Sequence, residues 1–299
     1  MSVVTEDHVV PGPHGAVPVR FHRPSEPTDA ALVWAHGGAW VGGDLEMPES
    51  DWVARQLACR GVTVLTVDYR LAPLPDWMAN GLASNLAPRP AQNHPYPVAS
   101  QELTAVFRWA TRAEPGLRWT LGGASAGGNL AAGAALRLRD EGDQADPGEA
   151  DPGDEGAVQP VSLLLVYPVA HAELPPLTPE LEDRARQHPE LDEFRPEAVT
   201  AMNLNYVRDA ERLADAYAFP GGHDLSALPP TFVLTSDLDL LRASGQAFGA
   251  ELAAAGVDVL VVRENGARHG HLNVPDDPAA ARSIERIANW LLSPLHRPR

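Results

Sequence analysis

A serine flanked by small residues is the first candidate for chemistry in this sequence. Ser125 lies in the run GASAG, after the apolar stretch Trp119–Gly122 and before a helical pattern. Strand, small residue, serine, small residue and helix form a nucleophile elbow, in which a strained turn holds the hydroxyl clear of a sheet. A flexible glycine-rich loop is the alternative, because this pattern also occurs by chance. The elbow predicts that Ser125 attacks an acyl carbon.

A second glycine-rich stretch, HGGAW, directly follows the apolar run ALVWA. Backbone N–H groups in such a loop bind the oxygen that becomes negative when a serine attacks a carbonyl carbon. We expect an oxyanion hole made by the amides around Gly37, Gly38 and Ala39, together with the amide of Ala126. We expect His36 to hold this loop through its ring. The alternative is an ordinary turn at the end of a strand.

Two aspartates and two histidines follow Ser125 in the chain, in the order Ser, Asp, His that accompanies a nucleophile elbow. The stretch DLDLL contains Asp237 and Asp239, and GARHGH contains His269 and His271. In a triad the histidine takes the serine proton, and the acid holds the imidazole in the correct tautomer. Solvated loop caps are the alternative for both aspartates. The HxH pair also fits a metal site, although no third ligand is near it in the sequence.

The composition excludes several classes of function. All 23 basic residues are arginine, which excludes Schiff-base lysines, pyridoxal phosphate attachment and the P-loop mechanism. The net charge of −17 disfavours nucleic acid, and the single cysteine, Cys59, excludes an internal disulfide. No run approaches the roughly 18 apolar residues of a membrane span, and the first residues lack the pattern of a secretory signal. We therefore expect a cytoplasmic protein with no membrane partner.

The elements that must position these residues follow from an alternation of short apolar runs with helical patterns. It predicts a mostly parallel sheet with helices on both faces, and the first residues predict a hairpin at an antiparallel edge. The predicted strands are Ala31–Ala35, Val62–Val67, Val161–Tyr167, Thr231–Thr235 and Val257–Val262. The predicted helices are Asp51–Arg60, Val98–Ala113, Asn129–Arg139, Ala243–Ala255 and Ala281–Leu292.

Two stretches interrupt this alternation before the last strands. Residues 74–93 are proline-rich, follow a strand and carry Trp77, Met78 and Leu82. We predict that this insertion walls a substrate pocket, with a surface decoration as the alternative. Residues 140–160 are acidic and of low complexity, which predicts a mobile surface loop.

The third interruption separates two strands that should be neighbours in the sheet. Residues 170–227 contain helical pieces but no convincing strand, and we interpret them as an inserted helical cap. The α/β core then consists of residues 1–169 and 228–299.

The motifs together resemble the hormone-sensitive-lipase-like family of α/β-hydrolases, which combines an HGG loop, a YRLAP stretch and a GDSAGGN elbow. This chain has HGGAW, DYRLAP at residues 68–73 and GASAGGN. The resemblance continues through HPYPVASQEL at 94–103, LSALPPTFVLTSDLDLLR at 225–242 and GARHG at 266–270, and therefore extends from about Leu32 to the C-terminus. It implies the α/β-hydrolase fold with an inserted cap.

The resemblance also implies a function. Its members are carboxylesterases that use a serine triad without a cofactor or metal, and their patterns favour Asp239 over Asp237 and His269 over His271. The expected substrates are small esters, with a preference for short acyl chains because no amphipathic stretch indicates binding at a lipid interface. The expected pocket residues are Trp40, Trp77 and Tyr206.

The sequence departs from the family pattern at several positions. Ala124 replaces the aspartate before the nucleophile, Ala39 replaces the third glycine of the oxyanion loop, and Leu240 replaces the proline after the acid. Only 35 residues precede His36, fewer than the N-terminal cap helices of this family need. These changes affect the shape of the pocket rather than the reacting groups.

Three further expectations depend on the same resemblance. An amidase or aryl-formamidase would use the same residues, because only the leaving group differs. A ligand-binding receptor of this fold lacks the catalytic histidine, and the presence of His269 argues against that alternative. The resemblance also makes a homodimer through an edge strand or helix an expectation.

Overall fold

The computed structural model describes residues 2–79, 89–143 and 158–293. Its centre is one sheet of eight strands in the order β1-β2-β4-β3-β5-β6-β7-β8. The strands are β1 (Val3–Gly12), β2 (Gly15–Pro24), β3 (Ala30–Ala35), β4 (Thr63–Val67), β5 (Arg118–Ala124), β6 (Leu163–Val166), β7 (Thr231–Leu238) and β8 (Val259–Arg268). The predicted mostly parallel sheet is confirmed, because every pairing from β4 to β8 is parallel.

The antiparallel edge predicted for the N-terminal segment is present. β1 and β2 form a hairpin in which Gly12 pairs with Gly15, and β2 then pairs antiparallel with β4. Gly15 has a φ of 106°, which a residue with a side chain rarely adopts. This glycine explains why the chain turns at that point.

Helices cover both faces of the sheet. They are α1 (Asp51–Ala58), α2 (Asp76–Ala79), α3 (Val98–Ala113), α4 (Ala126–Asp143), α5 (Pro179–Gln187), α6 (Pro196–Val207), α7 (Arg242–Ala254) and α8 (Pro278–Leu291). Since successive side chains of a strand point to opposite faces, β3 contributes to two separate cores. Leu32 and Trp34 pack with α1 and α8, whereas Val33 and Ala35 belong to the core formed with α3, α4 and α7.

Several boundaries differ from the sequence prediction. The last strand runs to Arg268, well beyond the predicted end at Val262, because it continues to pair with β7 after an irregularity at Ser236/Leu238. Helix α4 begins at Ala126, three residues earlier than predicted, and ends at Asp143. Its last turn therefore occupies the start of the predicted acidic loop, and residues 144–157 of that loop lie outside the described residues.

The two other interruptions of the pattern are helical where they are described. Helix α2 belongs to the 74–93 insertion, of which residues 80–88, including Leu82, lie outside the described residues. Between β6 and β7 the chain forms α5, α6 and the 3-10 helices Pro189–Phe194 and Ala210–Ala214. In the described part of the chain, no helix has the length and apolar character needed to cross a membrane.

Candidate active site

The turn between β5 and α4 consists of Ser125 alone. The strand ends at Ala124, the helix begins at Ala126, and Ser125 has a φ of 54°. This left-handed conformation is strained for a residue with a side chain. A hydrogen bond from the Ser125 N–H to the Val166 carbonyl, 2.8 Å long, holds the turn against β6. The result is an elbow with the serine at its apex.

The glycines on either side of Ser125 allow the strand and helix to pass closely. A Cβ added to Gly123 would lie 2.3 Å from the backbone of Gly127. A Cβ added to Gly127 would lie 2.1 Å from the carbonyl oxygen of Ala35, at the end of β3. Neither position has space for a side chain, which is the physical reason for the GASAG pattern.

The structure brings Ser125, His269 and Asp239 together. The His269 Nε2 lies 3.0 Å from the Ser125 Oγ, and its Nδ1 lies 2.8 Å from the Asp239 Oδ2. Asp239 directly follows β7 and His269 directly follows β8, so both lie at the carboxyl edge of the sheet, where parallel α/β sheets bind ligands. The Leu241 N–H donates to the other Asp239 oxygen at 2.9 Å and fixes the carboxylate.

The charges around His269 favour its protonated form. Burial lowers the pKa of the imidazole, but the charge and hydrogen bond of Asp239 and the nearby charges of Glu49 and Glu193 outweigh burial, and the pKa is raised. An imidazole with a raised pKa is a better base toward the serine hydroxyl.

Asp237, the alternative acid, has a different set of partners. Its carboxylate pairs with Arg184 and Arg242 at 3.1 Å and accepts the Gly266 N–H at 3.1 Å. Arg242 is only 1% exposed, so this ion pair is almost completely removed from water. Asp237 therefore links α5 to α7 and the β8 segment.

His271, the alternative histidine, is also fully engaged. Its Nε2 lies 2.8 Å from the Ser283 Oγ, and its Nδ1 lies 3.2 Å from the Ser236 Oγ and 3.1 Å from the Arg268 carbonyl. Among the residues that the structure describes, no group of three or more metal-ligating side chains exists. His271 links the end of β8 to β7 and α8.

The HGGAW loop forms a tight turn after β3, with three consecutive positive φ values. Gly38 has a φ of 105°, and the next two residues, Ala39 and Trp40, have φ values of 53° and 61°. His36 stacks on the ring of Tyr69 with the centroids 4.4 Å apart, and the Tyr69 hydroxyl donates to the His36 carbonyl at 2.7 Å. Tyr69, the tyrosine of the YRLAP stretch, thus supports this loop.

One of the expected oxyanion donors is already engaged. The Gly37 N–H donates to the Glu49 carboxylate at 2.5 Å, while the N–H groups of Gly38, Ala39 and Ala126 remain candidates for the oxyanion. Glu49 is not predicted as a site residue from the sequence, because an acidic residue just before a helix is typical of a solvated first turn.

Phe194 is a second residue that the sequence analysis missed. Its ring lies 4.4 Å from the His269 ring, and the Tyr167 ring lies 4.9 Å from the same imidazole. Phe194 ends a 3-10 helix of the segment between β6 and β7. No signal in the sequence distinguishes this phenylalanine from an ordinary apolar residue.

The expected pocket residues lie in two places. Trp40 stacks face to face on Tyr206 of α6, with centroids 4.3 Å apart and 6° between the planes, and both residues are buried. Phe219 meets the Trp40 ring edge-on at 6.1 Å. Trp77 lies on α2 and is 51% exposed, whereas the adjacent Met78 is buried in the core.

Comparisons with known proteins agree with this geometry. A family described as alpha/beta hydrolase fold matches residues 32–80 and 85–273. The carboxylesterase NlhH of Mycobacterium tuberculosis is 31% identical over 290 residues, which cover 94% of this chain and 79% of that protein. An arylesterase of Saccharolobus solfataricus is 30% identical over 268 residues, or 87% of this chain and 74% of that protein.

A solved structure supports the same relationship. The hyperthermophilic esterase of the archaeon Pyrobaculum calidifontis superposes with a TM-score of 0.77 and is 29% identical, covering 98% of this chain and 84% of that one. The matched segments contain the HGGAW loop, the elbow, Asp239 and His269. The chain belongs to the α/β-hydrolase family, in its hormone-sensitive-lipase-like branch.

Proposed function

We propose that this protein hydrolyses carboxylic esters through an acyl-enzyme on Ser125. The observation that carries the proposal is the continuous chain of hydrogen bonds from the Ser125 hydroxyl through His269 to Asp239. The relatives named carboxylesterase, arylesterase and esterase support the same reaction.

The geometry supports a two-stage reaction. The Ser125 Oγ attacks the acyl carbon while the His269 Nε2 takes its proton, and Asp239 holds the Nδ1 proton and stabilises the imidazolium. The imidazolium then protonates the leaving alcohol, the carbon–oxygen bond of the ester breaks, and the acyl group stays on the serine. In the second stage His269 takes a proton from a water molecule while the water oxygen attacks the acyl carbon. The bond between the acyl carbon and the Ser125 oxygen then breaks, and the His269 imidazolium returns the proton to Ser125.

The tetrahedral intermediates need donors for their negative oxygen. We assign this role to the N–H groups of Gly38, Ala39 and Ala126, because Glu49 occupies the N–H of Gly37. Removing one such donor typically lowers kcat by about 10²–10³. The reaction uses no cofactor or metal.

The substrate we propose is a small, uncharged ester with a short acyl chain. Ser125 is only 8% exposed, and Trp40 of the HGGAW loop is buried in a stack on Tyr206. The net charge of −17 disfavours anionic substrates. An amide is the alternative substrate, since the same groups act on it.

The segment from residue 170 to 227 is best interpreted as a cap on this site. Phe194 contacts the catalytic histidine, and α5 is tied to the core by the ion pair between Arg184 and Asp237. We therefore propose the division into a core of residues 1–169 and 228–299 and a cap between them. The cytoplasmic location stays a prediction.

A homodimer is also proposed. Strand β8 is an edge strand, and its side chains Leu260 and Val261 are exposed. Such an edge pairs readily with a second copy. Light scattering of the protein and of a Val261→Lys variant tests this, since a monomer in both cases would contradict it.

The decisive experiment for the reaction compares wild type with Ser125→Ala. Nitrophenyl esters from acetate to decanoate and a matching anilide serve as substrates, and an organophosphonate serves as the label. We expect one phosphonate per wild-type chain, attached to Ser125, and loss of ester turnover by several orders of magnitude in the variant. Ordinary turnover by Ser125→Ala would show that another residue is the nucleophile.

A further inference from the structure

Glu49 is a buried carboxylate with hydrogen-bond donors on both oxygens. The residue is 1% exposed. The Gly37 N–H donates to Oε2 at 2.5 Å, and the Tyr167 hydroxyl and the Asn273 side-chain N–H donate to Oε1 at 2.6 and 3.1 Å. Burial raises the pKa of the Glu49 carboxyl, while these hydrogen bonds and the charge of nearby His269 act in the opposite direction and favour the ionised form.

The backbone of Glu49 is held as firmly as its side chain. The indole N–H of Trp34 donates to the Glu49 carbonyl at 2.8 Å, and the Glu49 N–H donates to the Asn273 Oδ1 at 3.2 Å. Because the Asn273 oxygen accepts this bond, its side-chain nitrogen must be the atom that donates to the carboxylate. The orientation of Asn273 is thus determined.

The three donors to the Glu49 carboxylate lie beside the candidate reacting groups. Gly37 is in the oxyanion loop, and a Cβ added there would lie 3.1 Å from the Ser125 Cβ. Tyr167 follows Val166, whose carbonyl accepts the Ser125 N–H, and its ring lies 4.9 Å from the His269 ring. Asn273 ends the 3-10 helix that directly follows the His269 loop.

We infer that Glu49 is a positioning residue for the proposed ester hydrolysis. Its carboxylate fixes the oxyanion loop and the histidine loop relative to each other and keeps a negative charge near His269. The inference rests on the proposed function, because it assigns Glu49 a role through Ser125 and His269. It also explains why Gly37 is not an oxyanion donor: its N–H orients the loop, and the following N–H groups are left for the substrate.

A carboxylate fits this position better than any uncharged side chain. The Gly37 N–H and the Asn273 nitrogen can only donate, so each needs an acceptor. A glutamine has one acceptor oxygen, and its NH2 group would face at least one of these donors. A buried donor without an acceptor is destabilising, so the loops would shift to restore the missing bond.

The charge of Glu49 also acts on His269. The ionisable groups around this imidazole include Asp239, Glu49, Glu193, Tyr167 and His271. Catalysis needs the neutral imidazole as the base, so the acid limb of kcat/KM follows its pKa. Removal of the Glu49 charge removes one contribution that raises this pKa, and the acid limb moves to lower pH.

The test is Glu49→Gln with nitrophenyl butyrate as the substrate. We expect kcat to fall by roughly 10- to 100-fold, less than the about 10²–10³ for a deleted oxyanion donor, with little change in KM. We also expect the acid limb of kcat/KM to shift to lower pH in Glu49→Gln.

The matched control is Glu102→Gln. Glu102 is another buried carboxylate, which accepts the Arg70 N–H at 2.9 Å and pairs with the Arg70 guanidinium. We expect it to lower Tm and leave kcat and the acid limb unchanged.

A second variant keeps the inference falsifiable if Glu49→Gln does not fold. Tyr167→Phe removes one donor and leaves the charge, so we expect a lower kcat and an acid limb at the wild-type pH. Wild-type kcat and an unmoved acid limb in a folded Glu49→Gln, or wild-type kcat in Tyr167→Phe, would overturn the inference. If Ser125→Ala keeps ordinary activity, the proposed function itself fails, whatever the Glu49 variants do.

Discussion

The ring of Phe194 lies 4.4 Å from the imidazole of His269, with 53° between the two planes. Tyr167 lies on the imidazole as well, so two aromatic rings contact it. Phe194 belongs to the segment between β6 and β7, whereas the other contacts of the histidine come from the sheet edge. This segment therefore contacts the imidazole of His269 directly.

Phe194→Ala should lower kcat/KM for short esters by about 10-fold while Tm changes little, because water gains access to the imidazole and weakens its interaction with Asp239. The measurement is steady-state kinetics on nitrophenyl acetate and butyrate. Leu191→Ala is the control, since Leu191 is a buried residue of the same 3-10 helix. An equal loss of kcat/KM in both variants would mean that the helix as a whole, and not the ring, is responsible.

Asp239→Asn should cost far more activity than Asp237→Asn. An asparagine at position 239 favours the wrong imidazole tautomer, which lowers kcat by about 10⁴ in a serine protease. At position 237 the change weakens the ion pairs with Arg184 and Arg242, and a lower Tm is the expected result. Turnover and thermal unfolding of both variants check this, and a reversed order of kcat values would make Asp237 the acid.

The stability of the fold should decrease in mild acid because of His22. This residue is 0% exposed, and neither ring nitrogen has a hydrogen-bond partner in the described part of the chain. Burial lowers the pKa of His22 to about 4. Below about pH 6.5 the unfolded chain therefore binds a proton that the folded chain does not, and the free energy of unfolding falls by up to about 3 kcal/mol as pH approaches 4.

His22→Phe isolates this contribution, because phenylalanine does not titrate. Thermal unfolding at about pH 7 and about pH 4.5 is the measurement. We expect the decrease in Tm between these pH values to be smaller in the variant than in the wild type. A decrease of the same size would place the acid sensitivity in other groups.

Trp77→Ala should change the substrate preference and leave Tm nearly unchanged. Trp77 is half exposed at the carboxyl side of β4, so its loss removes little buried surface. The wild type should have a higher kcat/KM on butyrate than on decanoate, and the variant should narrow this difference. Met78→Ala is the contrast, since it removes a buried side chain and should lower Tm. If Trp77→Ala leaves the relative kcat/KM values unchanged across all esters, the insertion is a surface decoration.

The sequence alone determined the features that depend on local backbone rules. The glycines around Ser125 and the HGG run predict turns that only residues without a Cβ permit, and the apolar runs predict parallel strands with the candidate residues at one edge. The parallel sheet and the family are confirmed. The position of Ser125 follows from these local patterns, whereas the choice of Asp239 over Asp237 and of His269 over His271 rests on the family resemblance.

Tertiary structure decided which side chains meet. Asp237 and Asp239 are two residues apart and chemically identical, but β7 ends between them, so one meets arginines and the other meets His269. Glu49 and Asn273 are 224 positions apart in the chain, and no local pattern relates them. A buried polar group needs its partner wherever the fold places it, and that requirement is met only when distant loops come together.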